Sequence, residues 1–208
     1  MLKKIAVIIL LLLPIIYANG QVTTYEVAGL IKGTSYYKYA YLYQSETKNL
    51  LKTKVQNQQF LFVGEFTLER KGFNAAFIFL SNDSLDKFID QQEVVLKQLD
   101  RQYRIMVMDG TPIKITIEDE VKNAKVEGGN LNKDYDEMNL AVRERRYIDF
   151  IESHSDSPIS LLLIRGILPM KKFPFIGQLD FQELYDKLSD KVRQSEYGLE
   201  TLKKIKNL

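Results

Sequence analysis

The sequence predicts an α+β protein: an N-terminal antiparallel β-sandwich or half-barrel followed by a helical segment packed against it. Two patterns carry this expectation. Short runs of alternating or continuous apolar residues, separated by turn-forming residues, fill the first half of the chain. In the second half, apolar residues recur at helical spacing behind capping residues, after Gly128-Gly129. The 208 residues, 45% hydrophobic and 27% charged, suffice for one ordinary core and are too apolar for a disordered chain.

Residues 1–20 read as an export signal. Lys3 and Lys4 precede an unbroken apolar run that ends at Pro14, and Ala18-Asn19-Gly20 offers small residues for cleavage before Gln21. The apolar core is about 12 residues, against the roughly 20 a helix needs to span a bilayer. The expected mature protein is therefore soluble and exported, periplasmic or in the cell envelope, with no stable membrane span after cleavage.

Residues 21–127 are expected to form the β-domain. In residues 37–43 (YKYAYLY), Tyr37, Tyr39, Tyr41 and Tyr43 share one face and Lys38, Ala40 and Leu42 the other. A second run follows at 50–55. In residues 60–66 (FLFVGEF), Phe60, Phe62 and Phe66 face one way, and Leu61, Val63 and Glu65 the other. Asn57-Gln58 is placed to close a hairpin between these two runs, without the customary glycine. Residues 75–80 (AAFIFL) suit a strand covered on both faces. Two more runs, 103–108 and 113–117, flank the turn-forming Asp109-Gly110-Thr111-Pro112. Between these strands, Leu85, Phe88, Ile89, Leu96 and Leu99 predict an amphipathic helix over 84–100.

Residues 128–208 are expected to be helical. Asn130 is placed to cap a helix whose stripe is Leu131, Tyr135, Met138 and Val142, then Ile148 and Ile151. Ser157-Pro158 opens the next helix, which buries residues 161–164. Residues 169–177 break the pattern. Asp180 with Glu183 forms a capping box for a helix through Leu184, Leu188 and Val192, and a Lys-rich helix closes the chain over 195–207.

Charge and composition exclude several functions. The formal charge is +2, and the two surplus cations are Lys3 and Lys4, so the rest of the chain carries 27 charges of each sign. Such a balance argues against nucleic acid as a partner, because phosphate-backbone binding needs clustered cations. Cysteine is absent, which removes disulfides, thiol catalysis, thiolate metal ligands and lipidation at an N-terminal Cys. His154 is the only histidine. Asp149, Glu152 and Asp156 flank it in sequence, and a cap or solvent-facing role in a helix-to-helix turn explains it without a triad or metal. Glu118-Asp119-Glu120 lacks the alternating calcium-loop pattern and reads as a solvated turn. Arg143, Arg145 and Arg146, interleaved with Glu144, read as a charged helix face. Gly128-Gly129-Asn130 lacks the full phosphate-loop pattern. No catalytic residue, metal or cofactor is expected. The tyrosine run is the best candidate for a partner contact, through Tyr37, Tyr39, Tyr41 and Tyr43, although packing within the sheet explains it more simply.

The order of several motifs resembles a known domain. These are Phe60-Leu61-Phe62-Val63-Gly64, the run from Val126 to Tyr135, Tyr147-Ile148-Asp149-Phe150-Ile151 followed by His154-Ser155-Asp156-Ser157, and Ser195-Glu196-Tyr197-Gly198. Together, over 25–208, they resemble the uncharacterised N-terminal domain that precedes the thioredoxin-like domain in bacterial envelope thiol–disulfide oxidoreductases of the TlpA-like, AhpC/TSA-related group. Gln58, Gly129 and Ser155 depart from that pattern, and the helical part between Leu140 and Tyr147 is short. The resemblance implies a domain standing without its Trp-Cys-x-x-Cys neighbour, and without cysteine the redox activity does not transfer to this chain. The expected function is a non-catalytic exported envelope accessory or interaction module, with a thioredoxin-like envelope protein as its expected partner. The alternative is one half of a split oxidoreductase acting with a separately encoded thioredoxin-like partner. Oligomeric state has no sequence signal.

Overall fold

The computed structural model describes residues 22–68, 71–84 and 102–207. The export signal and the helix expected at 84–100, apart from Ser84, lie outside the described residues. The fold is α+β, with two four-stranded sheets followed by seven helices among the described residues.

The strands are β1 (Val22–Ile31), β2 (Tyr39–Gln44), β3 (Asn49–Lys54), β4 (Gln59–Thr67), β5 (Asn74–Ser81), β6 (Arg104–Met108), β7 (Ile113–Ile117) and β8 (Lys125–Gly128). Sheet one has the order β4-β1-β7-β8 and sheet two β3-β2-β5-β6. Their inner faces meet in one core. Val27, Phe62 and Ile115 come from sheet one, and Leu42, Ile78 and Met106 from sheet two. A sandwich with aligned inner faces is what alternating strands form when one face is apolar.

Strand β1 was not among the runs expected from sequence, yet it is central to sheet one. It pairs antiparallel with β4 and parallel with β7, the one parallel pair among the described strands. The Asp109–Pro112 turn joins two expected strands, but it carries the chain from sheet two to sheet one and closes no hairpin. Two aromatic–glycine pairs lock β1 to β4. The Phe60 ring lies where a Cβ on its cross-strand neighbour Gly29 would stand, and the Tyr25 ring does the same at Gly64. The alternation expected for β4 is observed: Phe60, Phe62 and Phe66 are buried, and Leu61, Val63 and Glu65 are exposed. Strand β5, expected to be covered on both faces, lies inside sheet two.

The helices are α1 (Asn130–Glu144), α2 (Tyr147–Ser153), α3 (Pro158–Ile167), α4 (Pro174–Gly177), α5 (Phe181–Asp186), α6 (Asp190–Arg193) and α7 (Glu196–Lys206). Their buried residues form a second core that takes in Phe73 and Val107 from the β-domain. Three expectations need correction here. Gly129, not Asn130, caps α1, with positive φ at both Gly128 and Gly129, and Asn130 is the first helical residue. Next, Val142 and Ile148 are exposed at 39% and 41%, while Ala141, Tyr147 and Phe150 are buried. Arg145 ends α1 in the left-handed region (φ 58°), so α2 starts with a new helical phase and the stripe does not continue through it. Finally, the helix expected from Asp180 through Val192 is two short ones, α5 and α6. The break at Ser189, extended at ψ 157°, lets its N–H donate to Ser155 O at 3.1 Å. The expected caps Ser157 and Asp180 are observed, and Ser195, expected only as the start of the last helix, caps it too. Ser157 Oγ accepts from the Ile159 N–H, Asp180 from the N–H groups of Gln182 and Glu183, and Ser195 Oγ from the Gly198 N–H.

Asn132, buried at 2% exposure, joins the two cores. Its Oδ1 accepts from the Val107 N–H at 2.8 Å, and its Nδ2 donates to Val107 O at 2.9 Å and Gly128 O at 3.2 Å. The carboxamide thus occupies the place of a neighbouring strand at the edge of β6. Arg104 reinforces the junction, donating to Ala124 O and pairing with Asp136 on α1.

Candidate functional site

The expected tyrosine contact divides in the structure. Tyr39, Tyr41 and Tyr43 share the outer face of sheet two, but Tyr41 (1% exposed) and Tyr43 (7%) are buried. Each ring pairs with its cross-strand neighbour: Tyr41 stacks on Phe79 at 5.0 Å between centroids, and Tyr43 meets Phe77 at 6.1 Å. The Tyr41 hydroxyl donates to Asp83 O at 3.0 Å. Burial and the nearby Glu46 carboxylate push the Tyr43 phenol above its ordinary pKa. Tyr37 precedes the strand and packs against the core between the sheets, so it does not share the face of the other three. Tyr39 is half-buried, with Lys52 Nζ 5.5 Å from its ring centre. The ladder therefore acts mainly in packing, through cross-strand ring pairs.

His154 sits between two helices. Its ring stacks on Phe150 at 4.3 Å, and Nδ1 lies 3.1 Å from Phe150 O. Nε2 lies 2.9 Å from Glu137 and 3.8 Å from Asp134, both on α1, so its carboxylate partners are not Asp149, Glu152 or Asp156. The imidazole ties α1 to α2. The acidic run diverges: Glu118 pairs with Lys32, Glu120 with Lys122, and Asp119 accepts from the Glu120 N–H. Arg146 pairs with Glu144, while Arg145 lies over the Phe175 ring at 4.5 Å. Among the described residues, no group of three His, Asp or Glu is placed to hold a metal ion, and no helix is long and apolar enough to cross a membrane.

A site that the sequence reading missed lies on the outer face of sheet one. An open cleft of about 960 Å³ runs across all four strands. Ala28, Leu30 and Leu61 give it an apolar floor, and Glu26, Lys54, Lys114 and Glu127 are its charged side chains. The β3–β4 hairpin adds the amides of Gln56 and Asn57 at one end. The hairpin holds its place through a two-residue turn in which Asn57 (φ 50°) and Gln58 (φ 60°) are both left-handed, with Gln56 and Gln59 exchanging backbone bonds at 2.9 Å. Lys125 binds Glu127 at 2.7 Å and holds that carboxyl below its ordinary pKa. Such a surface offers an apolar strip between ionised groups of both signs and amide donors and acceptors, but no thiol or imidazole. Its signal in the sequence was the alternation of 22–31, where Glu26, Ala28 and Leu30 fall on one face.

Fold and cleft together define an α+β sandwich protein with an open, amphipathic sheet face. Compared with family models, curated proteins and solved structures, the chain matches none.

Proposed function

We propose that the chain is a non-catalytic, exported envelope module that recognises another protein, and that its partner is a thioredoxin-like envelope protein. The observation that carries this reading is the cleft on sheet one. It is broad and open, with an apolar floor and a polar margin, as in surfaces that recognise protein chains. The motif order of the resembled domain supports the choice of partner, since that domain accompanies thioredoxin-like domains. A separate Trp-Cys-x-x-Cys protein would supply the thiol chemistry that these 208 residues lack.

Photo-crosslinking tests it. A crosslinking residue replaces Lys114, which lines the cleft, and in a control Lys191, which lies on α6. The full chain is then irradiated in the envelope of its native host. A thioredoxin-like adduct formed from position 114 and not from 191 is the expected result. Absence of that adduct, or substrate turnover by the purified chain that is lost in Glu26→Gln or Glu127→Gln, would refute the proposal.

A further inference from the structure

Each sheet of the sandwich has two edge strands, and an edge strand offers unpaired backbone groups to any other strand unless something blocks it. Three of the four edges are blocked. Strand β3 carries Lys52 and Lys54. Strand β8 is four residues long. Strand β6 has its Val107 backbone groups taken by Asn132. Strand β4 differs. It is nine residues long, QFLFVGEFT, with no Lys, Arg or Pro, and among the described residues no strand borders its outer side.

The free stretch of that edge can be located. The Ile31 N–H donates to Gln58 O, so even-numbered residues of β4 turn their backbone groups toward β1 and odd-numbered ones away. Of the odd-numbered residues, Gln59 is occupied by Gln56, and Thr67 O accepts from Asn74 Nδ2. Among the described residues, the outward backbone groups of Leu61, Val63 and Glu65 have no backbone partner. Their side chains all lie on the solvent face, with Leu61 51% and Val63 66% exposed.

We propose that β4 pairs antiparallel with β4 of a second copy of this chain, about a two-fold axis through Val63, joining two sheets into one of eight strands. This register uses all three free residues. Val63 meets Val63 of the second copy, and each Leu61 meets the other copy's Glu65. The two Glu65 carboxylates then stand about 13 Å apart along the strands, at the usual rise per residue, so no like charges are opposed. A two-fold through Phe62 would instead set Gln59 against Glu65, but Gln59 has already given its backbone groups to Gln56. Self-pairing buries four aliphatic side chains at once, Leu61 and Val63 of each copy, which are otherwise exposed on the solvent face.

The absence of cysteine makes the register measurable. In sedimentation velocity, the full chain is expected to show a reversible monomer–dimer equilibrium as its concentration rises. Val63→Lys is expected to raise the dissociation constant at least tenfold while leaving the melting curve unchanged at concentrations where the parent is monomeric, because position 63 is exposed in the single chain. Paired Cα atoms across such a ladder lie about 5.5 Å apart, within disulfide range. Val63→Cys is therefore expected to give a covalent dimer under mild oxidation. Leu61→Cys is expected to give none, its two copies being about 13 Å apart along the strands. A chain that stays monomeric, a dimer indifferent to Val63→Lys, or crosslinking through position 61 and not 63 overturns the proposal. The outcome is independent of whether a thioredoxin-like partner is recovered from the cleft.

Discussion

Replacing Asn132 tests how the two halves are joined. Asn132→Ala removes the acceptor for the Val107 N–H and the donor to Val107 O and Gly128 O. Val107 is 1% exposed, so water does not readily replace the lost partner. Each buried backbone group left unsatisfied costs about 1–3 kcal/mol, and two such groups on Val107 put the loss near 3 kcal/mol. For a chain of this size, that corresponds to a melting temperature lower by about 6–12 °C. Asn132→Asp separates charge from geometry. Its carboxylate still accepts from the Val107 N–H but faces two carbonyl oxygens with no proton to donate. Burial and these carbonyls raise its folded pKa above the unfolded value of about 3.9. The penalty is therefore absent below about pH 3.9 and grows as pH rises from there to the folded pKa. Thermal unfolding followed by circular dichroism at pH 7 and pH 3.5 checks both variants. The gap between Asn132→Asp and the parent is expected to narrow at pH 3.5. If Asn132→Ala melts within about 1 °C of the parent, the carboxamide does not dock the helices onto β6 and the reasoning fails.

Three further outcomes follow from the same structure. Gln58→Gly relieves a left-handed residue in the two-residue turn, a conformation costing about 1–2 kcal/mol without glycine, and after the glycine's greater unfolded freedom is subtracted the gain is about 0.5–1 kcal/mol; a rise of about 1–4 °C in melting temperature is the readout. Gly29→Ala places a methyl 1.9 Å from Phe60 Cζ and is expected to cost about 2 kcal/mol. Denaturant titration of Gly29→Ala, Phe60→Leu and the double variant should show a smaller loss in the double than the sum, and strict additivity would exclude the contact. Glu46 accepts from Lys71 Nζ at 2.7 Å and the Ala75 N–H at 2.9 Å in a largely buried position; Glu46→Ala is expected to lose about 2 kcal/mol in the same titration, and a neutral effect would remove Glu46 from the account of the β2–β5 end of sheet two.

The amino-acid sequence alone was enough for the class of fold and for most of its elements. Periodicity over 60–66 set Phe60, Phe62 and Phe66 inward, and Ser157 and Asp180 marked two helix starts, because strand alternation and capping are local and need only neighbours a few residues away. The hairpin at Asn57-Gln58 was legible for the same reason. What escaped depends on partners distant in the chain. The parallel pairing of β1 with β7 joins residues 86 apart at Val27 and Ile113, and no local pattern encodes it. The tyrosine run had the right period but gave no sign that Phe77 and Phe79 would stand opposite Tyr43 and Tyr41 and draw those rings out of reach of a partner. The carboxylates beside His154 came from α1 and not from its own neighbourhood. In Asn132, a polar residue inside a helical stripe, the sequence supplied the hydrogen-bonding groups; only the arrival of β6 beside α1 gave them a strand edge to complete. Local propensity thus decided which segments became strands and helices, whereas the cleft and the edges of the two sheets exist only where distant segments meet.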